Sequence, residues 1–379
     1  FQNPWPSSVE YNLGDALKMR LRDWNSAATK WVGGLPTHPT PGPDIPPGTR
    51  PKALDLAAVA APPRGSAQCS WLGHACFLLQ LGGWNVLFDP IFSQRCSPTQ
   101  WAGPKRITPA PCKIVDLPRI DAVVISHNHY DHLDVNTIKD LLRKTHSPDC
   151  VYFVPLGIGA QMKAVGAAPG NIVELDWWGE AFLSRSSDGD APSPPPFLRM
   201  VCTPCQHFSG RGLTDSRHTL WASWALVLHD ASPSQAPLFK AYFSGDTGYR
   251  TVPKTITEPN KYEAIRHLPA CPAFRTIGST FGTFDLAMLA IGAYSPRWFM
   301  SPIHCNPLDA VEVFRDIGSP ALALGMHWGT FVLTDEPILE PPKLLREAVQ
   351  LFGLEADRFV TVPIGATRVM PLHAPPSKM

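Results

Sequence analysis

The heptapeptide Ser126-His127-Asn128-His129-Tyr130-Asp131-His132 carries four metal-ligand side chains within six positions, directly behind the apolar run 121–125. A strand that ends in a loop can turn alternate side chains into one cavity. His127 and His129 are then set to hold one metal ion, while Asp131 and His132, past the bend, reach another. Imidazole combined with carboxylate suits zinc, and less exclusively iron or manganese. An expression tag does not sit mid-chain, and an ordinary core histidine does not account for four such side chains together.

A metal centre of this kind needs ligands from elsewhere, and layered α/β proteins deliver them at the carboxyl ends of other strands. His207 follows the strand-like run 197–202. Asp246 lies in Ser244-Gly245-Asp246-Thr247-Gly248 after the run 238–243, where the glycines are expected to let backbone approach a metal closely. His327, in Met326-His327-Trp328-Gly329, follows the apolar run 321–324. Singly, each passes for a loop or core residue; in this order they form a ligand set. Cys202-Thr203-Pro204-Cys205 is a CxxC pair, but no second pair lies at zinc-finger spacing and Pro204 fits an ordinary turn.

The elements that must position these residues are legible as alternating runs. Segments 69–81 and 84–89 are expected to be two strands joined by the turn Gly82-Gly83. The spacing predicts a helix over 135–143 and strands at 151–154, 197–202, 221–228 and 238–244. Asn306 before Pro307 predicts an N-cap and first helical position, with the helix stopping near Gly318. A last helix is expected over 341–352, ended by Gly353. Strands mixed with helices predict α/β layers around one core.

Composition sets the outer bounds. With 379 residues and 44% hydrophobic content the chain can bury a large core, and 33 basic against 32 acidic residues leave a net charge of +1. Such a balance provides no global field for nucleic acid, so no nucleic-acid partner is expected. Nine cysteines without framework spacing suit a reducing compartment. No stretch approaches the roughly 20 apolar residues that span a bilayer. Proline, 42 of the 379 residues, is about twice its usual share. Seven prolines fall within 36–51, which reads as an extended linker behind a short amphipathic helix at 11–31. The expected organisation is an N-terminal extension over 1–65, a catalytic domain over 66–370 and a frayed tail over 371–379, with a surface loop at 184–196. The chain starts at Phe1 rather than Met, so a fragment is expected, with any targeting segment upstream.

The order His-x-His-x-Asp-His, then His, Asp and His, resembles the metallo-β-lactamase superfamily. Longer motifs narrow the resemblance: Trp71-Leu72-Gly73-His74-Ala75, Phe88-Asp89-Pro90-Ile91-Phe92-Ser93, Gly103-Pro104-Lys105-Arg106 and Glu174-Leu175-Asp176-Trp177-Trp178. So do the segments 244–249 (SGDTGY), 291–300 (IGAYSPRWFM), 327–331 (HWGTF) and 339–342 (LEPP), with Asn3-Pro4-Trp5-Pro6 near the start. Over roughly 66–360 the chain is similar to the N-acyl-phosphatidylethanolamine-hydrolysing phospholipase D family. The segments 35–68 and 184–196 depart from the animal enzymes, and 202–210 matches only around His207.

The resemblance implies an αββα sandwich, two mixed β-sheets flanked by helices, and two Zn2+ per chain. His127, His129 and His207 would hold one ion, Asp131, His132 and His327 the other, with Asp246 and a hydroxide between them. Asp131 would also orient the nucleophile. His304 aligns with a histidine of the related enzymes and is the candidate acid for the leaving alkoxide; His74 is a candidate phosphate contact or supporting residue. The implied substrate is a phospholipid, N-acyl phosphatidylethanolamine, cleaved to phosphatidic acid and N-acylethanolamine. A peripheral membrane surface, an intracellular and for fungal relatives mitochondrial membrane location, and a homodimer belong to the same set of expectations. Candidates for the membrane face are the helix at 11–31 and Trp101, Trp177 and Trp178; two consecutive strand residues cannot face one side, so at least one of the last pair belongs to the core. Lys105-Arg106 could meet an anionic head group, although exposed charges are more often simply solvated. The competing readings are a hydrolase of another phosphodiester or a lactone, and a scaffold that has lost its metals, which all seven filled ligand positions disfavour.

Overall fold

A computed structural model describes residues 1–11, 15, 50–143, 147–185, 196–210, 212, 214–230 and 236–374. Most of the helix expected at 11–31, of the segment 36–51, of the loop 184–196 and of the tail 371–379 lies outside them.

Strands alternate their side chains between two faces, and here both faces are apolar because both are covered. The first half of the chain contributes β1 (Ser66–Gly73), β2 (Cys76–Leu81), β3 (Trp84–Phe88), β4 (Ala122–Val124), β5 (Val151–Pro155) and β6 (Ile172–Leu175). The second contributes β7 (Glu180–Leu183), β8 (Phe197–Thr203), β9 (Ser223–His229), β10 (Phe239–Phe243), β11 (Leu286–Ala290), β12 (Leu322–Met326), β13 (Phe359–Val360) and β14 (Thr367–Pro371). They form two seven-stranded sheets, ordered β14-β1-β2-β3-β4-β5-β6 and β13-β12-β11-β10-β9-β8-β7. Each is mixed: β1 to β3 and β7 to β10 pair antiparallel, β3 to β6 and β10 to β13 parallel.

Trp71, Phe77, Phe88 and Val124 point between the sheets, where they share a core with Trp224, Leu226 and Phe243. Their strand neighbours Leu72, Leu78, Leu87 and Val123 point outward, onto Ile138 and Leu141 of the helix Val135–Leu142 and Met162 of the helix Gly159–Val165. The helices Ala273–Phe281, Pro307–Asp316 and Glu340–Leu351 bring Ile277, Phe314 and Val349 onto the second sheet. This is the α/β sandwich of two mixed sheets that the sequence implied.

One expected strand is two. The run 69–81 breaks at Gly73-His74, both in the left-handed region (φ 103° and 54°), and returns as an antiparallel hairpin. Asn306 caps the helix Pro307–Asp316 by accepting from the Asp309 N–H, as its spacing predicted. No helix among the described residues is long and apolar enough to cross a membrane.

Candidate metal centre

Parallel strands deliver their carboxyl ends to one edge of a sheet, and the centre is built along that edge. The loop after β4 supplies His127, His129, Asp131 and His132; His207 follows β8, Asp246 follows β10, and His327 follows β12 directly. The structure brings all seven together, with His74 and His304, and each is buried to 4% exposure or less.

Asp246 is the hub. Its Oδ2 lies 3.1 Å from His132 Nε2, 3.7 Å from His207 Nε2, 3.9 Å from His127 Nε2 and 3.8 Å from His304 Nδ1, and its Oδ1 lies 3.0 Å from His327 Nε2. On one side of it His129 Nδ1 is 2.8 Å from His127 Nε2 and 3.2 Å from His207 Nε2. On the other, Asp131 Oδ2, His132 Nε2 and His327 Nε2 form a triangle with edges of 3.5, 3.3 and 3.7 Å.

Behind the ligands stands a layer of partners. His132 Nδ1 is 2.6 Å from Asp89 Oδ2, and Ser126 gives Asp89 both its N–H (2.7 Å) and its hydroxyl (2.5 Å). Ser126 Oγ also meets His127 Nδ1 at 2.8 Å, and His207 Nδ1 donates to the Ile303 carbonyl at 2.8 Å. His74 Nε2 reaches Asp131 Oδ2 at 2.9 Å, while its own N–H donates to Thr330 Oγ1 at 2.6 Å. The candidate of least certain place in the sequence thus holds the Asp131 carboxylate. His74, Asp89 and His327 all adopt left-handed backbone (φ 54°, 34° and 67°), a conformation non-glycine residues keep only where surroundings impose it.

Charge is shared across this buried group. Burial, then the neighbouring His327, lower His74 to about 3, so at neutral pH it is uncharged and its Nε2–H can donate to Asp131. Burial opposes the charged form of His327 too, but Asp246 and Asp131 prevail and raise it to about 9. Burial would likewise raise Asp246, yet the His132, His327 and His304 rings facing it hold its carboxyl well below the usual carboxylate range.

The donor set fits a pair of divalent ions. The Asp246 oxygens meet no donor with hydrogen-bond geometry. What surrounds them is ring nitrogens, at separations close to the ~3.3–3.5 Å between neighbouring ligands of a tetrahedral ion with bonds of about 2.0–2.1 Å. Two imidazole–carboxylate groups, His74/Asp131/His132/His327 and His127/His129/His207/Asp246, keep their ligand atoms within 4.8 Å of one another, and Asp246, His304 and His327 form a third.

Four other expectations resolve differently or more narrowly. The glycines flanking Asp246 admit protein rather than metal: a Cβ on Gly245 would stand 2.5 Å from Ser126 Cβ, and one on Gly248 2.3 Å from the Pro302 carbonyl. Cys202 and Cys205 are buried free thiols outside the metal-ligand groups of the described residues. Arg106 does not face solvent; it is buried under the loop, donating to the Ser93 carbonyl at 2.9 Å and to that of Ile91. Trp177 stacks on Trp5 and donates to the Trp221 carbonyl, whereas Trp178 is exposed. Sequence reasoning missed Asp89 and Ser126 as supports, although Asp89 directly follows an apolar strand, the signal that singled out Asp246.

A family model described as the β-lactamase superfamily domain matches residues 84–328, a span that holds His127, His129, Asp131, His132, His207, Asp246 and His327 and begins beyond His74. The chain belongs to the metallo-β-lactamase superfamily. Within this superfamily it is 37% identical over 302 residues to N-acyl-phosphatidylethanolamine-hydrolyzing phospholipase D 1 of Caenorhabditis elegans, covering 78% of this chain and 74% of that protein. It is 33% identical over 299 residues to the mitochondrial N-acyl-phosphatidylethanolamine-hydrolyzing phospholipase D of Saccharomyces cerevisiae, covering 79% of this chain and 55% of that protein. An uncharacterized Mycobacterium tuberculosis protein is 39% identical over 304 residues, covering 80% and 68%. Among solved structures, an isothiocyanate hydrolase from Delia radicum gut bacteria superposes with a TM-score of 0.53 at 17% identity, covering 80% of this chain and 99% of that one; the likeness is one of fold. The protein is a metallo-hydrolase of this fold.

Proposed function

We propose that the protein is a binuclear zinc phosphodiesterase of the phospholipase D type. Its substrate on this reading is N-acyl phosphatidylethanolamine, and its products are phosphatidic acid and N-acylethanolamine. The observation that carries the reading is the 37% identity to the worm enzyme over 302 residues, in a chain whose buried His and Asp side chains form groups able to hold metal ions. His127, His129 and His207 would hold one ion and Asp131, His132 and His327 the other, with Asp246 reaching both. The imidazole–carboxylate donors suit zinc. When bound, the ions would neutralise charge on the phosphoryl oxygens and bring the pKa of a shared water toward neutrality.

The chain's own residues supply orientation and proton handling. His74 fixes the Asp131 carboxylate through its 2.9 Å hydrogen bond, so Asp131 meets a nucleophile in one orientation. His304, on the far side of Asp246, is the group assigned to protonate the leaving ethanolamide oxygen. Its N–H donates to the Met300 carbonyl at 2.8 Å, and Arg297 donates to its carbonyl at 3.4 Å. A lipid substrate calls for work at a membrane surface, and the mitochondrial yeast relative favours a mitochondrial membrane as that surface.

The test is release of N-acylethanolamine from mixed vesicles, read by mass spectrometry, with bound zinc quantified for wild type and Asp131→Asn. Product from wild type and its loss in the variant are expected. Two zinc ions per chain with no product would overturn the lipid substrate and direct attention to other phosphodiesters or lactones.

A further inference from the structure

Between Asp89 and Asp116 the chain carries Arg95, Lys105, Arg106 and Lys113 and no acidic residue. Within this segment the loop 93–106 folds back on itself through an antiparallel bridge between Arg95 and Lys105. The Cys96 N–H donates to the Pro104 carbonyl at 3.2 Å, and the Arg106 N–H to that of Gln94 at 2.8 Å. Gln100 closes the loop from inside, accepting from the Arg95 N–H at 3.1 Å and donating to the Arg95 carbonyl at 3.0 Å. The buried Arg106 guanidinium buttresses the base.

Beyond the bridge stands Trp101, 83% exposed and the most exposed large hydrophobic side chain among the described residues. This exposure is built, since the hydrogen bonds that order the loop hold the indole away from the core. An indole so exposed, on a loop closed by its own hydrogen bonds, is free to enter a lipid–water boundary, where tryptophan is enriched.

The loop also belongs to the neighbourhood of the metal centre. Ile91 and Cys96 pack with Phe331, whose ring stands edge-on to His74 at 5.4 Å. Next to the loop, the Ile107 N–H donates to the Thr330 carbonyl at 2.9 Å and Thr108 Oγ1 to that of Gly329 at 2.6 Å. A cleft lined by His74, His327, Phe331, Leu333 and Ile338 opens there.

We propose that the loop 93–106 is an interfacial anchor that seats this face of the molecule on a bilayer with anionic head groups. Trp101 inserts at head-group level, and Lys105, exposed on the same loop, meets lipid phosphates, while Arg95 braces the loop from within by donating to the Gly103 carbonyl. A single indole on a narrow, cationic loop is poorly shaped for a protein partner, whose interface needs about 800 Å² a side. It has the form of the aromatic and basic anchors that hold peripheral proteins at the lipid–water boundary. The choice of a bilayer rests on the lipid substrate proposed above, but the anchor is measured without turnover.

The experiment is co-sedimentation of the full chain with vesicles of phosphatidylcholine and phosphatidylserine, and with vesicles of phosphatidylcholine alone. Wild type is expected to partition onto the mixed vesicles. Trp101→Ala should lose about tenfold or more in partition coefficient, Trp101→Phe less. Lys105→Glu should lose roughly fivefold or more on the anionic vesicles alone. Zinc content and melting temperature of each variant report that the fold is intact. Wild type that stays in solution, or intact Trp101→Ala that binds as wild type does, overturns the anchor. Binding through Trp101 without release of N-acylethanolamine would support the anchor and sink the proposed substrate; turnover with binding indifferent to Trp101 would do the reverse.

Discussion

The two sides of the metal centre are made of similar ligands but supported differently. Around His127, His129 and His207 the supports are neutral oxygens: the Ser126 hydroxyl on His127 and the Ile303 carbonyl on His207. Around Asp131, His132 and His327 they are titratable groups: the Asp89 carboxylate on His132 and the His74 ring on Asp131. The left-handed residues His74, Asp89 and His327 all belong to this second side. A carboxylate behind an imidazole raises its basicity and fixes its tautomer, whereas a neutral oxygen mainly orients it. The difference teaches that the two positions are electronically unequal despite their shared hub, and that more of the surrounding fold is committed to the second.

Removing the hub should have the largest effect. Asp246→Ala is expected to strip metal from both donor groups and to lower hydrolytic activity by far more than the roughly 10–100-fold typical of an outer partner. Elemental analysis alongside kinetics checks this; a variant that keeps two ions would remove Asp246 from the centre of the comparison. Asp89→Asn, whose side chain also tolerates left-handed backbone, should weaken one ion by about 10–100-fold and leave the other close to wild type. Chelator competition resolves the two affinities, and an equal loss at both would erase the asymmetry. The smallest effect is a slope. His327, raised to about 9 in the metal-free protein, is protonated at neutral pH and must lose that proton to bind. Affinity for zinc should therefore fall by about tenfold per pH unit for each proton released as pH is lowered below 9. Calorimetry in buffers of different ionisation enthalpy counts the protons, and uptake without release would contradict the charge assigned to His327.

The same two sides were unequally legible in the sequence. The 127–132 cluster declares itself because four ligand types crowd into six positions. His207, Asp246 and His327 were found because strand ends collect at one sheet edge. His74 was harder: Cys69 to Leu81 is an unbroken apolar pattern, and histidine at φ 54° is not a turn residue that sequence rules anticipate. Its partners Thr330 and Asp131 lie 256 and 57 residues away. Strand β11, Leu-Ala-Met-Leu-Ala, escaped for another reason. Its residues favour helix by local propensity, and only burial between parallel β10 and β12 makes it a strand. The outer strands β6 and β7 are short and half exposed, with no strong alternation to find.

The burial of every ligand, from segments that span both sheets, governs how an ion leaves as much as how it is held. With its side chains exposed by 4% or less, the centre meets solvent at the cleft that His74 and His327 line, and an exchanging ion should leave through it more slowly than from an open surface site. An ion that leaves slowly is one that outlasts many encounters with competing metals, so the supply present when the chain first binds would weigh on what the folded protein carries.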